Sequence, residues 1–318
     1  MASHLLPAGA YDTHVHVFDK RLGSYAAGRS YTPGEASRES LLEFESGVSV
    51  TGKPCNIVIV QASPYKNDNG VLLATLESFR REGIKTARGI AVFDSRIVTD
   101  EELQFMHELG VRGLRLNVQS DSSGVDVGAL EEAMIHGAER IKNFPGWKLQ
   151  LYAPSSVWDY LYPVVSKLPV PVIADHFAGL KALSKLPQMD GENNSATDEK
   201  LVLTQPGLEA VVRLAEESRL IIKLSGFYRA SNSTADCYLD LAPIVRYLAK
   251  KVPGQLIWGS DWPHTGEAQA RDIATAAMTI EHFQKIDDEG ILRNLREWLG
   301  SDNIWHKVMV ENPRLLYE

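Results

Sequence analysis

Cysteine is scarce in this chain: 318 residues contain two, Cys55 and Cys237. Their separation fits neither a disulfide framework nor a paired-thiolate zinc site, so no covalent staple is expected and a reduced, cytoplasmic setting is the default. Long apolar runs are missing too, and the N-terminus, MASHLLPAGA, has no basic segment leading into an apolar one. Membrane insertion and export are therefore not expected. Positive charge is in deficit, with a formal net charge of −8, which argues against a nucleic-acid or anionic-membrane partner. A small anionic substrate stays open, because a few arginines can make a locally positive pocket. Repeats, low-complexity tracts and linkers are absent as well, so residues 1–318 read as one domain, with the oligomeric state, a homo-oligomer included, left open.

What is present is a regular alternation. Eight short segments rich in β-branched residues read as strands: 10–19, 55–62, 87–93, 111–118, 148–153, 170–177, 220–227 and 255–261. Between and after them run segments of helical period: 40–50, 70–82, 100–109, 127–143, 155–166, 206–218, 237–251 and 267–285. Thr99 ahead of three acidic residues and Pro206 just inside a start are good N-terminal signals. Strand and helix alternating eight times predict an α/β protein, a (β/α)₈ TIM barrel, with extra C-terminal helices over 289–299 and 302–310. Two connections are longer than a barrel needs. Segment 20–39 offers Tyr25, Arg29 and Tyr31 as ligand contacts, and 183–205 reads as mainly solvated.

The stretch AYDTHVHVFD, residues 10–19, sets Asp12, His14 and His16 at every second position. In a strand that period puts all three on one face, with Thr13, Val15 and Val17 on the other. His14 and His16 fall at the C-terminal end of strand 1, His176 at that of strand 6 and Asp261 at that of strand 8. In a barrel those ends ring a single pocket, so the four become neighbours. His4, His107, His136, His282 and His306 fall in the tail or in helices and receive no role.

His-x-His on strand 1, Asp175-His176 on strand 6 and GSDWPH at 259–264 on strand 8 resemble the amidohydrolase superfamily, in particular its branch of 2-pyrone-4,6-dicarboxylate lactonase-like enzymes. Further similarities are SYTP at 30–33, VIVQAS at 58–63, RGLRLN at 112–117 and NPRLLY near the end. The resemblance covers nearly the whole chain and implies a barrel hydrolase opening a lactone or related ester-like bond. Two versions fit the residues. In one, His14, His16 and Asp261 hold a single divalent ion, zinc before others, whose water ionises near neutral pH. In the other there is no metal; Asp261 is the general base for water, and His14, His16 and His176 polarise the carbonyl. A binuclear centre is not expected, because Lys148 lies at the wrong end of strand 5 to bridge two ions, and Tyr152 at the useful end suits a hydrogen bond to substrate.

The resemblance and strand-end positions nominate Gln61, Ser63, Tyr65 and Asn69 after strand 2, Arg115 and Asn117 on strand 4, Arg229 after strand 7 and His264 as substrate contacts. Arg115 and Arg229 could bind a carboxylate through their guanidinium forks. Where the pyrone dicarboxylate enzymes carry further basic residues, this chain reads Gln119-Ser120-Asp121 and Phe177-Ala178-Gly179, which favours a larger, less charged lactone or ester. Phe177, Phe227, Tyr228 and Trp262 suit a partly apolar ligand or the core. Two other readings stay open: a zinc-dependent decarboxylase of an aromatic acid, and a barrel that binds a small molecule without catalysis.

Overall fold

A computed structural model describes residues 4–118, 124–186, 195–266 and 273–318. Eight strands line up in sequence order, each parallel to the next: β1 (Tyr11–Val15), β2 (Asn56–Val60), β3 (Arg88–Ala91), β4 (Val111–Asn117), β5 (Lys148–Tyr152), β6 (Val172–Ala174), β7 (Leu220–Leu224) and β8 (Leu256–Trp258). The ring closes above β8, where Val15 bridges Trp262 and the Asp261 amide donates to the His14 carbonyl at 2.9 Å. The expected (β/α)₈ barrel is thus what the chain forms.

Outside the strands pack α1 (Arg38–Gly47), α2 (Gly70–Arg81), α3 (Asp100–Leu109), α4 (Val127–Ile141), α5 (Trp158–Val165), α6 (Leu208–Glu216), α7 (Ala242–Lys251) and α8 (Asp288–Leu299). The start of α3 forms where the acidic run predicts it. Thr99 accepts from the Glu102 amide and Glu102 accepts from the Thr99 amide, satisfying two donors that a helix end would otherwise strand.

Side-chain alternation splits the apolar residues into two clusters. Tyr11, Val58, Val60, Ile90, Ile173, Ile221 and Ile257 fill the barrel with Tyr317 from the C-terminal helix, while Val15, Ile57, Ile59 and Leu114 face the surrounding helices. That filled floor closes the barrel from below, so a ligand of the barrel would enter at the C-terminal ends of the strands.

Three expectations change. The helix expected over 267–285 is a short helix, Ile273–Met278, followed by Ile280–Glu281, which pairs with Thr32–Pro33 of the long first loop; residues 267–272 lie outside the described ones. Two residues per strand are too few to leave a period of two in the sequence. The helix expected from Cys237 begins at Ala242, because Cys237 and Tyr238 take positive φ and cannot open a helix. Asp12 does not share a face with His14 and His16. The pairing of β1 with β2 shifts register between Asp12 and Val15, so Tyr11 points into the barrel while Asp12 meets Glu45 of α1.

Candidate active site

His14, within β1, and His16, just beyond it, converge with His176 and Asp261 at the mouth of the barrel. The ring centroids of His14 and His16 lie 5.1 Å apart, and those of His14 and His176 4.7 Å. Nε2 of His14 and Nε2 of His16 are each 3.7 Å from Asp261 Oδ1. All four side chains are buried. The local backbone is bent to achieve this: His176 has φ 49° and Asp261 φ 64°, left-handed conformations that cost about 1–3 kcal/mol each in a non-glycine residue. Gly226, at the end of β7, faces them without a side chain; a Cβ there would stand 2.6 Å from His176 Nδ1 and 3.1 Å from Asp261 Oδ2.

The two oxygens of Asp261 have different surroundings. Oδ2 accepts from the Arg229 guanidinium and from the Tyr228 hydroxyl, both at 2.7 Å. Oδ1 is buried with no hydrogen-bond partner, and so is Nε2 of His14. Burial alone would push the Asp261 carboxyl up, yet Arg229 and the neighbouring imidazoles outweigh it and hold the group well below the usual carboxylate range. Burial pushes the imidazoles down, His14 to about 3, His16 to about 4 and His176 far below its ordinary value. Near neutral pH the site is one carboxylate among three neutral imidazoles. The His16 tautomer follows from its partner. Nδ1 lies 2.8 Å from the Val60 carbonyl, which can only accept, so Nδ1 carries the proton and Nε2 a lone pair.

Behind His14 sits a buried ionic layer that sequence reasoning missed. Asp175 Oδ2 accepts from Arg115 Nε at 3.2 Å and Gln150 Nε2 at 3.1 Å, and its Oδ1 lies 3.3 Å from both Lys223 Nζ and His14 Nδ1. The readable signals were solitary: one lysine inside LIIKL of β7 and one glutamine inside KLQLY of β5. Lys148, by contrast, donates to the carbonyls of Gly146 and Leu316 at the opposite rim, so it bridges nothing at the mouth.

Other nominated residues divide. Asn117 donates to Ser63 at 3.1 Å, and the Tyr152 ring stands edge-on to His176 at 4.6 Å, so these reach the mouth. Tyr31 of the first loop joins them, with Thr265, Arg229, Arg115 and Asp261 around it. Gln61 donates to the Lys66 and Asp68 carbonyls, Asn69 exchanges bonds with the Val92 backbone, and the Tyr65 hydroxyl accepts from the Asp19 amide. Their polar heads hold the loop after β2, whose buried backbone groups need partners. His264 pairs with Asp288 at 2.9 Å, and Arg229 is occupied by Asp261, Tyr228 and Thr265. Phe177 and Phe227 pack edge-to-face at 5.0 Å in the core. Residues 119–121, whose lack of basic character entered the substrate reading, lie outside the described residues.

A family model described as amidohydrolase matches residues 11–318. The chain belongs to this family. The resemblance and the amidohydrolase enzyme class expected from the motifs are borne out. Among characterised relatives, it is 27% identical to a 4-sulfomuconolactone hydrolase of Rhizobium radiobacter, over 99% of this chain and 92% of that protein. It is 29% identical to a 2-pyrone-4,6-dicarboxylate hydrolase of Comamonas testosteroni, over 98% and 91%. Among solved structures, an apo protein of Agrobacterium tumefaciens superposes with a TM-score of 0.71 at 22% identity, covering 99% of this chain and 98% of that one. A Burkholderia multivorans amidohydrolase with bound zinc gives a TM-score of 0.62 at 16% identity, over 98% and 99%. These two superpositions speak to the fold. Among the described residues no helix is long and apolar enough to cross a membrane.

Proposed function

We propose that this enzyme hydrolyses a lactone, or a similarly activated ester, of a small organic substrate, with Asp261 as general base. The supporting observation is Asp261 Oδ1 itself: an anionic oxygen without a hydrogen-bond partner faces imidazole nitrogens at 3.7 Å, too far for a direct hydrogen bond and suited to bridging through a water or carbonyl. Lactone-cleaving relatives that align along nearly their whole length support the same bond type.

In this reading a water donates to Asp261 Oδ1 and to the lone pair on His16 Nε2. Its oxygen attacks the carbonyl carbon as Asp261 takes the proton. The oxyanion is stabilised by imidazole N–H groups, and collapse breaks the ring C–O bond. The proton held on Asp261 passes to the departing alkoxide, so lactone and water become one hydroxy acid. Arg229 and Tyr228 keep Oδ2 fixed so that Oδ1 alone faces the water. Arg115, through the guanidinium nitrogens that Asp175 does not occupy, is assigned to an anionic group on the substrate, and Ser63, Asn117, Tyr152 and Tyr31 to its polar periphery.

By distance alone, one divalent cation could be held by His14, His176 and Asp261, whose ligand atoms lie within 4.8 Å of one another, with His16 beside them, provided His14 offers a lone pair. Such an ion would polarise the carbonyl and acidify bound water. The test is a panel of five- and six-membered lactones with zero, one or two carboxylates, monitored by proton release and by carbon dioxide. Ring opening without carbon dioxide supports hydrolysis; carbon dioxide from an aromatic acid, with lactones untouched, overturns it.

A further inference from the structure

His14 stands apart from His16 in what meets its Nδ1. Lys223 Nζ lies 3.3 Å from that nitrogen in hydrogen-bonding geometry. The same ammonium donates to the Thr13 carbonyl at 2.9 Å and to Gln150 Oε1 at 3.1 Å. An ammonium has three N–H groups and no lone pair, so toward His14 Nδ1 it can only donate. Asp175 Oδ1 lies 3.3 Å from both His14 Nδ1 and Lys223 Nζ and is the counter-charge the two share. Lys223 and Asp175 are both buried, so neither can turn to solvent for another partner.

We infer that Lys223 is a positioning residue that fixes His14 as the Nε2–H tautomer, making it a hydrogen-bond donor to the substrate carbonyl rather than a metal ligand. Nδ1 accepts from the ammonium and the ring's single proton moves to Nε2, the buried atom that faces the reaction space without a partner. His14 and His16 then have opposite polarity at Nε2: one donates to the developing oxyanion and the other accepts from the water. A buried cation against Nδ1 of His14 also opposes a second positive charge in front of its Nε2. Without Lys223, Asp175 would be the natural acceptor for a proton on His14 Nδ1, the arrangement by which carboxylates prepare histidines to bind zinc.

This inference deepens the hydrolase reading and rests on it for the role of Nε2, but its test needs no substrate. In the metal-free wild-type protein labelled with ¹⁵N-histidine, long-range proton–nitrogen correlation is expected to show His14 unprotonated at Nδ1 and protonated at Nε2. In Lys223→Met, which keeps the length and removes the donors, the proton is expected to move to Nδ1 and zinc affinity, measured by competition with a chromogenic chelator, to rise at least tenfold. Wild-type His14 carrying its proton on Nδ1 overturns the inference, whether or not any lactone is turned over. Zinc affinity unchanged in a folded Lys223→Met protein overturns the claim that Lys223 opposes metal binding.

Discussion

Arg229 Nε lies 2.7 Å from Asp261 Oδ2, and that contact leaves Asp261 with a single oxygen for chemistry. Arg229 was nominated as a fork for a substrate carboxylate; in the fold it meets the site's own carboxylate. Arg229→Met would leave a buried anion uncompensated, with an expected loss of about 3–5 kcal/mol by denaturant unfolding. In protein that remains folded, the lost hold on Oδ2 is expected to lower kcat rather than only raise KM.

Asp12 ties two strands together from outside the barrel. Its Oδ1 accepts from the amides of His14 and Ser260, both at 3.0 Å, which fixes the chain on either side of the site. Asp12→Ala leaves two buried donors without an acceptor, so about 2–6 kcal/mol of stability is expected to go. Asp12→Asn keeps an oxygen for both and is expected to retain most of it. Equal melting temperatures for Ala and wild type would contradict this.

How much of this could be read from the sequence differs residue by residue. His14, His16, His176 and Asp261 were legible because strand ends in a barrel converge, whatever the loops do. Asp12 was misplaced because a register shift inside β1 breaks the period of two, and no residue type in YDTHV announces it. Lys223 and Gln150 were visible as lone polar residues in apolar strands but pointed to nothing until β4, β5 and β7 were brought together around Asp175. Tyr31 was suggested by loop length, whereas its position beside Thr265 depends on strand pairing with 280–281, a segment that reads as helix.

The buried imidazoles set a pH dependence of stability. His14 and His16 titrate near 3 and 4 in the fold, below the ordinary value of 6.5. At these two sites the unfolded chain binds more protons between about pH 6.5 and 4, so their contribution to stability falls as pH drops through that window, while the buried carboxyls of Asp12, pushed up to about 6, and Glu45, also pushed up by burial, contribute in the opposite direction. The carboxylate of Asp261, depressed in the fold, contributes in the same direction as the imidazoles below the ordinary carboxylate pKa of about 4. His16→Gln is expected to lessen the fall in melting temperature between about pH 7 and pH 4 relative to wild type; an identical pH profile would mean that the His16 imidazole is not held neutral.

Gly226 tests the space around the reacting groups. It has φ 55°, and an added Cβ would press on His176 and Asp261 together. Gly226→Ala is expected to lose about 100-fold or more in kcat, as misplacing reacting groups by about 1 Å can do. Full activity would show that His176 and Asp261 need not sit as closely as the fold places them.

Tyr31→Phe tests the first loop. Removing the hydroxyl beside Thr265 is expected to raise KM several-fold and leave kcat within about twofold, because the group lies at the periphery and not at the carbonyl. An unchanged KM would remove this loop from the substrate's surroundings.

The most direct test is the ring-opening rate of Asp261→Asn on whichever lactone the wild type accepts, in protein shown by circular dichroism to be folded. Asparagine keeps the shape and an acceptor for Arg229 but cannot take a proton from water, so kcat is expected to fall by about 10²–10⁴. Turnover within a few-fold of wild type would contradict the account.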